Sequence, residues 1–341
     1  MIGIAYRPIS RSLFASRSVF TKINGRFFNV LALLEHQEGK SKPASLSAIE
    51  AAKRTGGDVF AFVVGPNASQ VAQQASKSVD GLKQVIHVEN NAYERFLPDQ
   101  IAKVLYENAK KFDASHVFSA HSTLGKGVMP RLAAMLDVMQ VSDVIRVVDE
   151  KTFVRPTYAG NVNVHVKTEE PVKLVTVRAS AFDPTPAIDN GSASVTAGVD
   201  PQPAALQSWV SENIIKSERP DLGSAERVVA GGRPLKDKAT FEKTLTPLAD
   251  KLGAAIGATR VAVDSGYADN SLQIGQTGKI IAPKLYIAVG VDGAIQHTAG
   301  IKDSKVIASI NRDENSPIFQ HSDVGLVTDL YEAVPELVEK L

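Results

Sequence analysis

Leu285-Tyr286-Ile287-Ala288-Val289-Gly290-Val291-Asp292-Gly293 is an apolar run that stops on a glycine turn. A short continuous run closed in this way reads as a strand covered on both faces, and a helix turn carrying Gln296 and His297 is expected to follow. The pattern recurs on either side. Val228-Val229-Ala230 leads into Gly231-Gly232-Arg233, and Ala258 to Val263 reads as a strand leading into Asp264-Ser265-Gly266. Lys305 to Ile310 leads into Asn311, and Val324-Gly325-Leu326-Val327 into Thr328-Asp329-Leu330. Each predicted strand therefore ends in a glycine turn or a polar side chain, whereas the opposite connections carry ordinary helix residues. Ligands of open parallel sheets bind outside the carboxyl ends of the strands. Residues 219–341 are thus expected to form a doubly wound α/β domain that holds a dinucleotide along one edge.

Upstream, residues 26–218 predict a second α/β domain. Phe28 to Leu34, Val59 to Val64, Val85 to Val88 and His116 to Ser119 read as strands. They alternate with helices over Ser45 to Arg54, with Ala48, Ala51 and Ala52 inward, and over Pro98 to Lys111, as parallel βαβ units do. Ile145 to Val148, Phe153 to Arg155, Val162 to Val166 and Leu174 to Val177 instead follow one another directly. This suggests an antiparallel extension, with Asn161 to Val166 alternating like a half-exposed strand. Phe182 to Pro220 is rich in proline and small polar residues and reads as a connector with limited packing.

Composition excludes several classes. The chain has 341 residues, a net charge of +1 and no cysteine, so a whole-chain nucleic-acid footprint, disulfides and thiolate-bound metals are not expected. No apolar run has membrane-spanning length. Hydrophobic residues make up 44% and aromatic ones only 6%, which suits an aliphatic core of strands under helices. Met1 to Leu34 contains no Asp or Glu but carries Arg7, Arg11, Arg17, Lys22 and Arg26 among serines. That is the composition of an organelle transit peptide, here read over residues 1–25 and favouring mitochondria.

The motifs are individually modest. Gly231-Gly232 allows backbone amides to approach a pyrophosphate, and Arg233 adds a forked cation. Gly275-Gln276-Thr277-Gly278-Lys279 lacks P-loop spacing, with Ile280 where a hydroxyl is required, and this argues against triphosphate hydrolysis. His297 reads equally as a core histidine or as a donor toward a cofactor carbonyl. His121-Ser122-Thr123-Leu124-Gly125-Lys126-Gly127 looks like a phosphate turn, but reads more simply as a strand-to-helix connection.

Taken together, these segments resemble the α subunit of electron transfer flavoprotein. Ala230-Gly231-Gly232-Arg233, Leu252 to Arg260, Gln273 to Lys279, Gly293-Ala294-Ile295-Gln296-His297 and Ile310-Asn311 carry the likeness in that order. It departs in Thr259, where the family usually has Ser, and in Pro234, where it often has Gly. The resemblance implies FAD held mainly by the C-terminal domain, with the β subunit completing a heterodimer and holding AMP. It places Arg233 and Thr259 near the phosphates, Arg260 against the flavin and Thr277 at flavin N5. Ile274, Gly275, Gln276 and Thr277, with Asp292, Gly293, Ala294, Ile295, Gln296 and His297, would wrap the ring and ribityl chain. His297, protonated or as a neutral donor, would face the pyrimidine carbonyl. Asn311, Asp329 and Leu330 would line the adenosine. No catalytic residue and no metal are expected. The implied role is an electron carrier of the mitochondrial matrix, serving acyl-CoA and related dehydrogenases of fatty acid β-oxidation and amino acid catabolism. Its acceptor would be the membrane-bound electron transfer flavoprotein–ubiquinone oxidoreductase of the respiratory chain. A nicotinamide- or flavin-dependent enzyme and a cofactor-free scaffold are the alternatives.

Overall fold

The computed structural model describes residues 28–204, 206–211 and 219–341. The basic leader read over residues 1–25 lies outside them. Residues 28–211 and 219–341 belong to two separate compact units.

In the N-terminal unit, β1 (Asn29–Leu33), β2 (Asp58–Gly65), β3 (Leu82–Glu89), β4 (Ala114–Ala120) and β5 (Gln140–Val144) come first. They are followed by β6 (Arg146–Val147), β7 (Thr152–Thr157), β8 (Val162–Lys167), β9 (Lys173–Val177) and β10 (Ser194–Ala197). The main sheet has the order β10-β3-β2-β1-β4-β9-β5, and all its pairings are parallel. β1 shows why its sequence is apolar throughout. Val30 and Ala32 join a core shared with α1 (Pro43–Lys53) and α2 (Ala68–Ser78), while Leu31 and Leu33 face α3 (Pro98–Lys111) and α4 (Thr123–Leu136). Val30, Leu31 and Leu33 each contribute about 1.5–3 kcal/mol by leaving water. Ala48, Ala51 and Ala52 are buried on α1, as their spacing predicts. Pro43 and Pro98 each occupy the first turn of a helix, where the missing N–H has no cost.

Three readings of this region need correction. Leu174 to Val177 is not part of the antiparallel extension. It lies as β9 between β4 and β5 in the parallel sheet, because burial on both faces suits its unbroken apolar run. The extension itself is the separate antiparallel sheet β8-β7-β6. Within it β8 is not half-buried, since Val162 and Val164 are both exposed. The connector is also more ordered than its prolines imply. β10 adds to β3 at the sheet edge, and Asn108 of α3 grips the next stretch from both sides. Its amide donates to the Val199 carbonyl and its oxygen accepts from the Val199 N–H, each at 2.8 Å.

Beyond the tip of β9, Arg178 forks onto Asp143, which has a left-handed backbone at φ +59. Burial raises the Asp143 carboxyl, but the hydrogen bonds and charge of Arg178 outweigh it and hold the group below the usual range. Arg178→Ala should lower unfolding free energy in urea by about 3 kcal/mol, because it strands a largely buried carboxylate. A loss under about 1 kcal/mol would show the pair to be solvated.

The C-terminal unit contains β11 (Arg227–Gly231), β12 (Ala255–Ala258), β13 (Leu285–Val289), β14 (Ile307–Asn311) and β15 (Val324–Val327). They form one all-parallel sheet in the order β12-β11-β13-β14-β15. α5 (Lys238–Leu252) and α8 (Leu330–Lys340) cover one face. Loop residues Ile274, Ile281, Ile301 and Ile318 cover the other. The strand read over Ala258 to Val263 is misplaced. The true strand is β12, and Thr259 caps α6 (Arg260–Asp264) by accepting from the Ala262 N–H at 3.4 Å.

Candidate functional site

The chain leaves β11 for β12 on one side and then crosses to β13 on the other, so the strand order reverses between β11 and β13. Their carboxyl tips are Gly231-Gly232 and Gly290. The Gly232 N–H donates to Val289 O at 3.1 Å, and a Cβ on Gly232 would overlap the Gly290 carbonyl oxygen. Only a bare backbone fits there, and the crevice at such a reversal is where α/β sheets bind nucleotides. Arg233 and Pro234 follow immediately and are exposed.

The remaining residues gather along the same edge through backbone bonds. Thr259 N–H donates to Gly231 O at 3.0 Å, and Ile274 N–H to Ala258 O at 3.0 Å, tying the 273–279 loop to the tip of β12. Gln276 N–H donates to Gln296 O at 2.8 Å, which joins that loop to the short helix α7 (Ile295–Thr298). Gly275, at φ +140, lies so close that a Cβ would come within 2.7 Å of the Gln296 oxygen. Gly293, at φ +91, is packed against Ile318, whose Cα would be 2.5 Å from a Cβ. These are cradle glycines rather than flexible ones.

Polar side chains occupy distinct positions in this frame. Thr277 Oγ1 accepts from Gln273 Nε2 at 2.9 Å, leaving the hydroxyl proton for an outside acceptor. Arg260 is largely exposed and paired with Asp264 at 3.3 Å. Asp329 caps α8 by accepting from the Tyr331 N–H at 2.8 Å, and Leu330 is buried against Gly290. Asn311 is internally committed. Its amide donates to Val291 O at 3.0 Å and Ser316 Oγ at 3.1 Å, and its oxygen accepts from the Asp313 N–H at 3.1 Å. Ser316 in turn donates to Asp292 O at 2.8 Å, so Asn311 and Ser316 set the shape of the 291–293 turn.

His297 is buried, and the protonated form considered for it does not suit its surroundings. Burial lowers its pKa to about 4, opposed only by the nearby Ile274 backbone, so the ring is neutral at physiological pH. Its Nε2 lies 2.7 Å from the hydroxyl of fully buried Tyr286, and its Nδ1 makes no hydrogen bond of acceptable geometry. Tyr286 and Ser316 were not singled out by sequence, and Gln273 only as the start of a matching segment, with no role of its own. A tyrosine in an otherwise aliphatic strand could have pointed to the first, whereas nothing in the local pattern marks Ser316.

In the N-terminal unit the phosphate-like turn is a helix cap. Ser122 Oγ accepts from the Gly125 N–H at 3.0 Å and donates to Glu35, which buries its carboxylate beside Lys42. Burial raises the Glu35 carboxyl despite the opposing Ser122 hydrogen bond.

A glycine-lined crevice at the strand-order reversal, bearing one unsatisfied buried donor or acceptor, defines a nucleotide-cofactor domain. Comparison with known proteins specifies it further. The family model for the electron transfer flavoprotein domain matches residues 30–202, and that for the electron transfer flavoprotein FAD-binding domain matches residues 221–302. The chain is 72% identical over its full length, and that of the relative, to a probable mitochondrial electron transfer flavoprotein subunit alpha of Schizosaccharomyces pombe. It is 48% identical to the electron transfer flavoprotein subunit alpha of Pseudomonas aeruginosa, covering 90% of this chain and 98% of the relative. A probable mitochondrial subunit alpha of Saccharomyces cerevisiae is 46% identical over 96% of each chain. The chain belongs to the electron transfer flavoprotein alpha subunit family. Its cofactor is FAD, and it is an electron carrier rather than an enzyme that transforms a substrate. The scaffold and enzyme alternatives fall with that result.

Proposed function

We propose that this chain pairs with an electron transfer flavoprotein β subunit in the mitochondrial matrix. There it takes electrons from flavin dehydrogenases, acyl-CoA dehydrogenases among them, and delivers them to the membrane-bound ubiquinone oxidoreductase. AMP belongs to the partner. The convergence of the β11, β12, β13 and β14 tips on one edge, lined by glycines that admit backbone contact, is the observation that carries the reading. Exposed Tyr158, Val162 and Val164 offer apolar surface for a permanent partner.

Bound FAD supplies the exchange of electrons, one or two at a time. The chain binds and orients it. Arg233 and the Thr259 hydroxyl engage its phosphates, with Gly231-Gly232 leaving room for their close approach. Ile274 to Thr277 and Asp292 to His297 hold the ring and ribityl chain, and Asp329 and Leu330 flank the adenosine, with Asn311 shaping the adjoining turn. Thr277 directs its hydroxyl proton at N5. Arg260 releases its exposed partner Asp264 at little cost and places positive charge beside the ring, while His297 offers a neutral donor to the pyrimidine carbonyl.

Arg260→Ala should leave stability within about 0.5 kcal/mol but weaken uptake of the first electron about tenfold, or about 59 mV. Spectroelectrochemical titration of the heterodimer measures this, and an unchanged potential removes Arg260 from the ring. The carrier reading is tested by mixing the yellow heterodimer with an acyl-CoA, with and without its dehydrogenase. The flavin should bleach only when the dehydrogenase is present. Direct bleaching by the acyl-CoA would sink the reading.

A further inference from the structure

We propose that Tyr286 is a positioning residue that fixes His297 in the tautomer carrying its proton on Nδ1, so that the ring serves the flavin as a permanent neutral donor. The inference rests on the reading that places His297 at the flavin.

Hydrogen-bond accounting between two buried groups carries it. Tyr286 lies in the middle sheet strand at 0% exposure, His297 on α7 at 6%, with the hydroxyl 2.7 Å from Nε2. Only two arrangements of the shared bond exist. If His297 donated from Nε2, the tyrosine proton would have no acceptor, and the bare Nδ1 would have no donor. Two buried groups would then be unsatisfied, each costing about 1–3 kcal/mol. If Tyr286 donates to Nε2, the hydroxyl proton is satisfied and the imidazole proton must sit on Nδ1. One group then remains short of a well-formed bond, Nδ1–H: it has no hydrogen bond of acceptable geometry among the described residues, and only the Ile274 backbone comes near the ring. The second arrangement is favoured by one whole buried group.

The surroundings keep the ring both neutral and fixed. His297 N–H donates to Ala294 O at 2.8 Å, and its Cα packs beside Gly275. Among the described residues, no carboxylate or cation is hydrogen-bonded to either ring nitrogen. A donor that needs no proton from solvent keeps its strength across the physiological pH range, which an imidazolium donor would not. The one unsatisfied N–H is also the kind of group that a cofactor carbonyl relieves on binding.

The test is ¹⁵N NMR of the His297 ring in the flavin-loaded heterodimer, beside Tyr286→Phe and its flavin potential. Wild type should show Nδ1 protonated and Nε2 bare. Tyr286→Phe, which removes one oxygen and keeps the ring, should retain FAD and populate the Nε2–H form. Its first-electron affinity should fall about tenfold, or about 59 mV. A wild-type ring protonated on Nε2 overturns the inference whatever the variant does, and leaves the site reading intact. An unaltered tautomer in Tyr286→Phe also overturns it. A tautomer change with an unmoved potential, and His297 shifts indifferent to FAD removal, would instead show that the ring does not face the flavin. Both the site reading for His297 and the inference built on it would then fail.

Discussion

Gly232→Ala is expected to leave a chain that binds little or no flavin and unfolds at markedly lower denaturant. The added methyl would overlap the Gly290 carbonyl oxygen and lie 2.8 Å from its carbon. Both atoms are backbone at the tip of the neighbouring strand, so no side-chain rotation relieves the overlap. Forcing β11 and β13 apart costs about 3 kcal/mol, and it distorts the crevice in which FAD is proposed to sit. Gly253→Ala is the matched control. It has a left-handed backbone at φ +58 but nothing within 4 Å of its Cβ. It should cost only about 1–2 kcal/mol of backbone strain and retain flavin. Equal denaturation midpoints and flavin contents for the two variants would mean that the strand tips do not touch.

Acid should destabilise the C-terminal unit well before its carboxylates titrate. His297 has its pKa lowered by burial to about 4, against an ordinary value of 6.5. Above pH 6.5 the ring is neutral in both folded and unfolded chains, and its contribution to stability is complete. Between 6.5 and about 4 only the unfolded chain takes up the proton, so stability falls as pH falls and levels off below about 4. The full span is worth about 3 kcal/mol. His116 imposes the same dependence on the N-terminal unit. Burial takes it to about 4, opposed by its bond to the Glu150 carbonyl. Denaturant unfolding between pH 7 and 4.5 should show a pH slope for the C-terminal unit that His297→Gln flattens. A variant with the wild-type slope would show that His297 is not neutral and buried in solution.

How far the sequence could be read depended on how each burial is encoded. β13 and β15 are recoverable to the residue because an apolar run stops at a turn. β12 is not, because its Ala255-Ile256-Gly257-Ala258 is small rather than apolar. A Cβ at Gly257 would strike Ile274, so close approach of the loop fixes the residue type there. The valines at 261 and 263 then draw the reading forward onto what is a capped helix turn. β10 was hidden for a related reason: an edge strand of Ser, Val, Thr and Ala, exposed for most of its length, has little hydrophobic signature. At the site, the sequence singled out one edge as the candidate for ligand chemistry, since parallel strands share one polarity. It could not show that Asn311 is saturated by Val291, Ser316 and Asp313, nor that Tyr286 sits under His297. Those depend on groups from separate strands, turns and a helix meeting in three dimensions.

The strand order β12-β11-β13-β14-β15 has a consequence for how the chain matures. Each piece of the cradle comes from a different βα connection, and Gly232 meets Gly290 only after more than half the domain has assembled around them. No unfolded or half-folded chain can offer FAD more than a fragment of its seat. The cofactor therefore acts as a mass-action clamp on the native fold, adding about 2.7 kcal/mol when free FAD stands at a hundred times its dissociation constant. Scarcity of the vitamin-derived cofactor would thus reduce the amount of folded carrier as well as its loading.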